Sequence, residues 1–288
     1  MYIYKLKFAV AGVVLASIGS TLAGERLPEY VYHSDGTYSP KGSGNSNVNE
    51  SWDADGLGSN NETVTNGAGF LETTTGFSSN HDNENSVDSY GLRGSYGRVL
   101  ENQWVVQGDA KYEYLEISNG TSSGDIDELA ATLHVSKKLN DKFAAGAFIQ
   151  GGLIGKDFWT QYSGGLEAAA FLDSATLYGR VAYSKATVQD EDADSIIGTL
   201  GARVYANDNL RFDVEGKYWE DNAQVGVAGL YRFANYNTTL TLGYRYDHNS
   251  AGVESQSAST IFTGIRYHFG AKTLRQEERS GVQWGFVR

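Results

Sequence analysis

Leu210-Arg211-Phe212-Asp213-Val214-Glu215-Gly216-Lys217-Tyr218-Trp219 is the stretch on which the fold turns. Leu210, Phe212, Val214, Gly216 and Tyr218 fall on one face of an extended chain. Arg211, Asp213, Glu215, Lys217 and Trp219 fall on the other. A helix would scramble these two sets, because its side chains repeat every 3.6 residues rather than every two. The segment therefore reads as a strand with one apolar and one wet face.

The same phase recurs on both sides of it. In Leu240–Asp247, Leu240, Leu242, Tyr244 and Tyr246 oppose Thr241, Gly243, Arg245 and Asp247. From Trp104 to Tyr114, Trp104, Val106, Gly108, Ala110, Tyr112 and Tyr114 oppose Val105, Gln107, Asp109, Lys111 and Glu113. Extending the pattern predicts strands near 67–78, 86–99, 104–117, 126–138, 143–154, 160–172, 175–188, 194–206, 210–219, 223–234, 238–248 and 257–269. Each is about the 9–11 residues that a tilted strand needs to cross a bilayer, plus overhang. The expected fold is all-β, a transmembrane antiparallel up-and-down barrel of about 12 strands, with 10 or 14 as alternatives.

The connections alternate in length. Tight ones fall at Glu101-Asn102-Gln103, Asn140-Asp141, Asp173-Ser174, Asn207-Asp208-Asn209 and Asn235-Tyr236-Asn237. Longer ones, acidic or rich in Gly and Ser, fall at 79–85, 118–125, 155–159, 189–193 and 249–256; the link at Asp221-Asn222 is short as well. Outer-membrane barrels place short turns in the periplasm and longer loops outside. Counting back from a periplasmic C-terminus, the strand at 86–99 runs inward. That requires one before it, which 67–78 supplies, and the strand number becomes even.

Composition agrees. The 288 residues include 35 Gly, 19 Tyr, 12 Phe and 5 Trp but only 2 Pro and no Cys. Aromatic residues suit strands and membrane interfaces, scarce proline suits sheet ladders, and the lack of cysteine excludes disulfides and thiolate chemistry. After the first residues no apolar run reaches the length of a membrane helix, so a membrane location requires a closed barrel. The formal charge is −12, or −14 without Lys5 and Lys7, which argues against nucleic acid as a partner. Residues 1–23 read as a secretory signal. Lys5 and Lys7 precede the apolar Phe8–Ile18, and Thr21-Leu22-Ala23 offers cleavage after Ala23. Residues 24–66, poor in aliphatic side chains, read as a flexible N-terminal segment that serves as lead-in, plug or linker. The barrel is expected at 67–269 and a C-terminal extension at 270–288.

Gly264-Ile265-Arg266-Tyr267-His268-Phe269 resembles the closing strand of outer-membrane proteins, a glycine followed by alternating aromatics and ending in Phe. With Thr273-Leu274-Arg275 and Glu278-Arg279-Ser280-Gly281 behind it, the tail is similar to that of porin-like outer-membrane proteins of alphaproteobacterial type. The resemblance covers roughly residues 67–281, in pattern more than identity. It implies a bacterial outer-membrane location, and Gly264, Tyr267 and Phe269 as the signal read by the barrel-assembly machinery. The chain departs from the pattern in continuing 19 residues past Phe269, where many such proteins end.

The residues expected to line the lumen are Arg93, Asp109, Lys111, Glu113, Glu128, Glu167, Arg180, Arg203, Arg211, Asp213, Glu215, Lys217, Arg232, Arg245, Asp247 and Arg266. Such side chains set the field that a passing ion feels; alternatively they pair with one another and fill the interior. Trp104, Tyr178, Trp219, Tyr231, Phe233, Tyr246, Tyr267 and Phe269 are expected in the interface girdles where they point outward, while Trp52 and Trp159 could stack on sugars from loops. His134-Val135-Ser136 has the spacing of a lipid-cleaving pair, but both polar side chains share the inward phase, so no enzymatic role is expected. His33, His81, His248 and His268 show no metal-ligand spacing, and no metal or cofactor is implied. Asp190-Glu191-Asp192-Ala193-Asp194 is expected in a solvated outer loop, with cation binding through its oxygens as the alternative, and Asp53-Ala54-Asp55-Gly56 matches a calcium loop poorly. The function expected is passive diffusion of small solutes or ions, biased toward cations by the acidic loops. The rivals are a non-conducting structural or surface-interaction barrel and a soluble secreted β-sandwich. Expected partners are outer-membrane lipid, lipopolysaccharide and the assembly machinery, with the oligomeric state open.

Overall fold

The computed structural model describes residues 30–32 and 38–40 by their backbone, and 67–80, 86–118, 123–155, 159–188, 191–220, 222–249, 256–282 and 284. The chain divides into two units, 1–60 and 61–288. In the first, β1 (Tyr30–Tyr32) and β2 (Tyr38–Pro40) form a small antiparallel ladder. Residues 1–23, where a secretory signal is expected, most of 24–66 with Trp52 and Asp53–Gly56, and the tips of the longer loops with His81 lie outside the described residues.

The second unit is a closed barrel. Its strands are β3 (Ala68–Asn80), β4 (Ser86–Val99), β5 (Trp104–Ser118), β6 (Ser123–Asn140), β7 (Phe143–Ile154) and β8 (Trp159–Phe171), followed by β9 (Ala175–Val188), β10 (Glu191–Asn207), β11 (Leu210–Trp219), β12 (Asn222–Arg232), β13 (Thr238–Asn249) and β14 (Gln256–Phe269). Each pairs antiparallel with its sequence neighbours, and β14 returns to β3, so this is the up-and-down barrel that the alternation predicts, with 12 strands. Closure leaves no edge strand with unpaired backbone groups, the condition for a sheet to exist in lipid. Among the described residues no helix is long and apolar enough to cross a membrane.

The alternation places the apolar set outside. Leu200, Leu166 and Ile196 are 74%, 70% and 68% exposed, against 0–4% for Gln107, His134, Arg203 and Arg232 on the inward phase. In water this distribution would be inverted, with the apolar faces buried; lipid makes it favourable. Side-chain carbonyls fix two of the tight turns. Asn140 Oδ1 accepts from the backbone N–H groups of Lys142 (2.8 Å) and Phe143 (3.0 Å), and Asn207 Oδ1 accepts from Asn209 (2.9 Å).

At the seam, Phe269 stands opposite Gly69, and its ring stacks on Tyr96 at 6.2 Å between centroids. Gly264 faces inward beside Glu72, and a Cβ there would come within 2.8 Å of that carboxylate. The glycine of the closing strand thus leaves space for a buried acid.

Several expectations need correction. β6 and β10 begin earlier than the alternation suggests, because polar residues continue the ladder beyond the apolar band. Glu191–Asp194 are therefore strand rather than loop, and Asp192 accepts from Lys185 Nζ at 2.6 Å and Thr187 at 2.8 Å. β12 ends at Arg232, leaving Phe233 and Ala234 in the turn. Tyr178 and Trp219 lie on the inward phase, Tyr178 buried and Trp219 packed on Phe148, Ala182 and Ile197, so neither belongs to a girdle.

Candidate functional site

Every residue expected in the lumen lies on the inward phase of its strand, where most are paired. Arg93 and Arg266 converge on Glu72, at 2.7 and 2.9 Å, and Thr241 adds a hydrogen bond of 2.9 Å. Lys111 reaches Glu128 at 2.6 Å and Glu113 at 3.5 Å. Arg211 bonds Asp213 (2.7 Å), and Arg245 bonds Asp247 (2.8 Å), which also accepts from Gln224. Arg180 and the Tyr178 hydroxyl share Glu215, at 3.4 and 2.7 Å, and Lys217 lies 4.7 Å over the Trp219 ring. Asp109 and Glu167 hold the two ring nitrogens of His134, at 2.8 and 2.9 Å. His134 and Ser136 are buried inside the barrel, away from lipid, as their phase requires.

Glu72 was absent from the sequence-derived set although it shares the inward phase of Phe70 and Gly76. The weak β3 pattern, Thr73-Thr74-Thr75 at its centre, hides which face is wet.

The extension after Phe269 turns back into the barrel. Gly270, with φ +81°, reverses the chain. A short helix, α1 (Leu274–Arg279), follows, with the Thr273 hydroxyl accepting from Gln276 N at 3.0 Å as its cap. The wall at the turn end takes up its described residues. Arg232 Nη2 donates to Ala271 O (2.7 Å), Leu274 N donates to Asp208 O (3.0 Å), and Lys138 Nζ donates to Arg279 O (2.6 Å). Glu278 accepts from Arg203 (2.5 Å), Thr176 (2.7 Å) and Tyr205 (2.8 Å). Glu277 pairs with His268 and, at 3.5 Å, with Arg266. Gly281 crosses Gly97 so closely that a Cβ on Gly97 would lie 2.1 Å from the Gly281 carbonyl. Val282 packs with Ala68, Phe70 and Ala271. The Gln107 amide clamps the backbone of Trp284, accepting from its N–H and donating to its carbonyl, both at 3.0 Å. The Trp284 ring stacks on His134 at 6.5 Å.

Burial pushes both carboxyls of α1 up, but the surrounding cations outweigh it. Glu277 is held below the ordinary range by His268, Arg266 and Arg211, and Glu278 by Arg203 and Arg211 with the Thr176 hydrogen bond. Above the segment lies a cavity of about 150 Å³, bounded by Arg93, Arg203, Arg211, Arg245 and Arg266 among others, and by Glu277, Val282 and Trp284 of the extension. A second cavity of about 230 Å³ continues toward the loops, sharing Arg245 and Phe262 with the first and lined by Thr74, Ser78, Ser89 and Thr260. The lumen is thus roomy toward the loops and filled at the turns. Among the described residues no cluster of His, Asp and Glu is arranged to hold a metal ion.

Comparison with solved structures agrees with this architecture. The translocator domain of the autotransporter NalP from Neisseria meningitidis aligns at a TM-score of 0.51 and 12% identity, over 75% of this chain and 91% of that one. The likeness is one of fold. The beta domain of the Bordetella autotransporter Brka aligns at 0.46 and 14% identity, over 70% and 98% of the two chains. The KdgM porin aligns at 0.45 and 10%, over 69% and 99%. No family model and no curated protein matches the sequence.

Proposed function

We propose that this chain is a porin-like protein of the bacterial outer membrane, passing small solutes or ions passively through its charged lumen. One observation carries the reading: a closed barrel with an apolar exterior encloses two cavities that share Arg245 and Phe262, one lined by Thr74, Ser78, Ser89 and Thr260 and the other reaching Glu277 and Trp284 of the C-terminal segment. Charged side chains spaced along such a path set the electrostatic profile for a passing solute. The signal segment and the closing strand ending in Phe269 fit export and insertion. The cation bias expected of the acidic loops rests mostly outside the described residues, whereas the wall nearest the segment is rich in arginine.

Passage through the turn end requires the segment to shift. Its fill of that end favours the second reading, a structural barrel that never conducts. Conductance of the refolded full-length protein, with a barrel lacking residues 271–288 as the open reference, separates the two. Steady steps in a planar bilayer are expected; silence from a demonstrably folded, heat-modifiable barrel overturns the solute path.

A further inference from the structure

The receptors for Glu277 and Glu278 are unlike the other ion pairs of the lumen. Elsewhere, wall cations pair with wall acids, within one strand as in Arg211–Asp213 or across strands as in Arg93–Glu72 and Arg180–Glu215. Here the barrel supplies the donors and the tail supplies the acids. Arg203, Thr176 and Tyr205 place three donors around one carboxylate, with Arg203 bonded to one oxygen and both hydroxyls to the other. Arg266 and His268 flank the next. These wall groups are nearly all buried, and the arginines border the cavity that opens toward the loops. A buried arginine with converging hydroxyls binds any carboxylate, whether it comes from the chain or from solution.

We infer that the wall around α1 is a carboxylate-binding site which the C-terminal segment occupies as an internal ligand, and that small dicarboxylates entering from the loop end compete for it and release the segment. The inference rests on the solute-path reading of the lumen. The chemistry follows from the occupant: two adjacent acids of the chain show what the site accepts. The remaining contacts of the segment put no further acid of the tail on a wall cation: Ala271 O and Arg279 O accept, Arg275 pairs with Asp208 at 3.6 Å, Arg279 donates to Leu172 O, Val282 packs in its cluster and the Trp284 backbone meets Gln107. They hold the segment but do not discriminate among solutes. Release would couple occupancy of the path to its opening, since a ligand shifts a two-state equilibrium by its preference for one state.

The chain has no cysteine, so a single Val282→Cys reports on the segment cleanly. The folded protein in lipid vesicles is treated with a small maleimide, alone, with succinate, and with the uncharged succinamide at the same concentration. Labelling is expected to be slow alone, severalfold faster with succinate and unchanged with succinamide. Adding Glu277→Gln and Glu278→Gln should make it fast without any additive. Should Val282→Cys fail to fold, trypsin cleavage after Arg279 in the unaltered protein reads the same release. Equal rates with succinate and succinamide overturn the inference, as does labelling of the intact protein at the rate of the unfolded chain. The readout is exposure rather than current, so a segment that succinate releases from a barrel that never conducts would sink the solute path and leave the site standing.

Discussion

Arg203 on β10 and Glu278 on α1 meet at 2.5 Å inside the barrel, 75 positions apart in sequence. Both are buried. An ion pair taken out of water contributes little net stability, but removing one partner leaves a charge with no counter-ion, at a cost of about 3–5 kcal/mol. Glu278→Ala should therefore weaken docking of the extension far more than Thr176→Val, which deletes only one neutral donor. Limited trypsin digestion of the folded protein checks this through the rate of cutting at Arg279. Equal rates for the two variants would contradict it.

Acid should undock the extension from a barrel that stays closed. Glu277 and Glu278 sit below the ordinary glutamate value of 4.5 when docked. Groups lowered in the bound state contribute stability that is full above the ordinary value and is lost as pH falls through the docked one. The charged and titratable groups facing them are His268, Arg266, Arg203, Arg211 and Tyr205. Amide exchange of residues 274–280, corrected for intrinsic rate, should show constant protection from about pH 7 to 5 and a loss only on acidification below the ordinary 4.5. A loss already complete at pH 5.5 would contradict the role given to the two glutamates.

The outward face should refuse charge. Leu200 sits mid-strand in β10 and is 74% exposed. Leu200→Arg should cost about 2–4 kcal/mol, the range for arginine at the bilayer midplane of a barrel. Urea unfolding in lipid vesicles measures it; a cost near zero would place this face in water.

Closure of the seam should tolerate no bulk at Gly69. A Cβ there would lie 2.4 Å from Ser95 O and 2.5 Å from the Phe269 ring. Gly69→Val is expected to cut the yield of heat-modifiable barrel severely, whereas Thr73→Val, on the outward phase of the same strand, should not. Similar yields from both would remove the role assigned to the Phe269 contact.

The barrel was legible because its determinants are local. Period-two alternation fixes which residues face lipid, and turn residues such as Asn140 and Asn207 mark where strands reverse. Boundaries blurred where the alternation outlived the apolar band: at Ser123–Asp125 and Glu191–Ala193 polar residues pair in the ladder although nothing in their composition distinguishes them from loop. Tyr178 and Trp219 point inward although aromatic rings suit either face; neighbours such as Glu215 and Phe148 decide. The docking of the extension was hidden for a different reason. Thr273-x-x-Gln276 is a helix-start pattern, and Glu277-Glu278 offers charge to an arginine-rich wall, but no periodicity links residue 278 to residue 203. Such a contact is set by closure of the barrel.

The most direct test uses Ala68→Cys and Val282→Cys, two positions that share one buried cluster at the turn end. Current through the same refolded channel is recorded in succinate, oxidised and then after a reductant is added. The account predicts silence while the extension is tethered and conducting steps once the disulfide is broken. Steady conduction in the oxidised protein would show that the segment does not close the path.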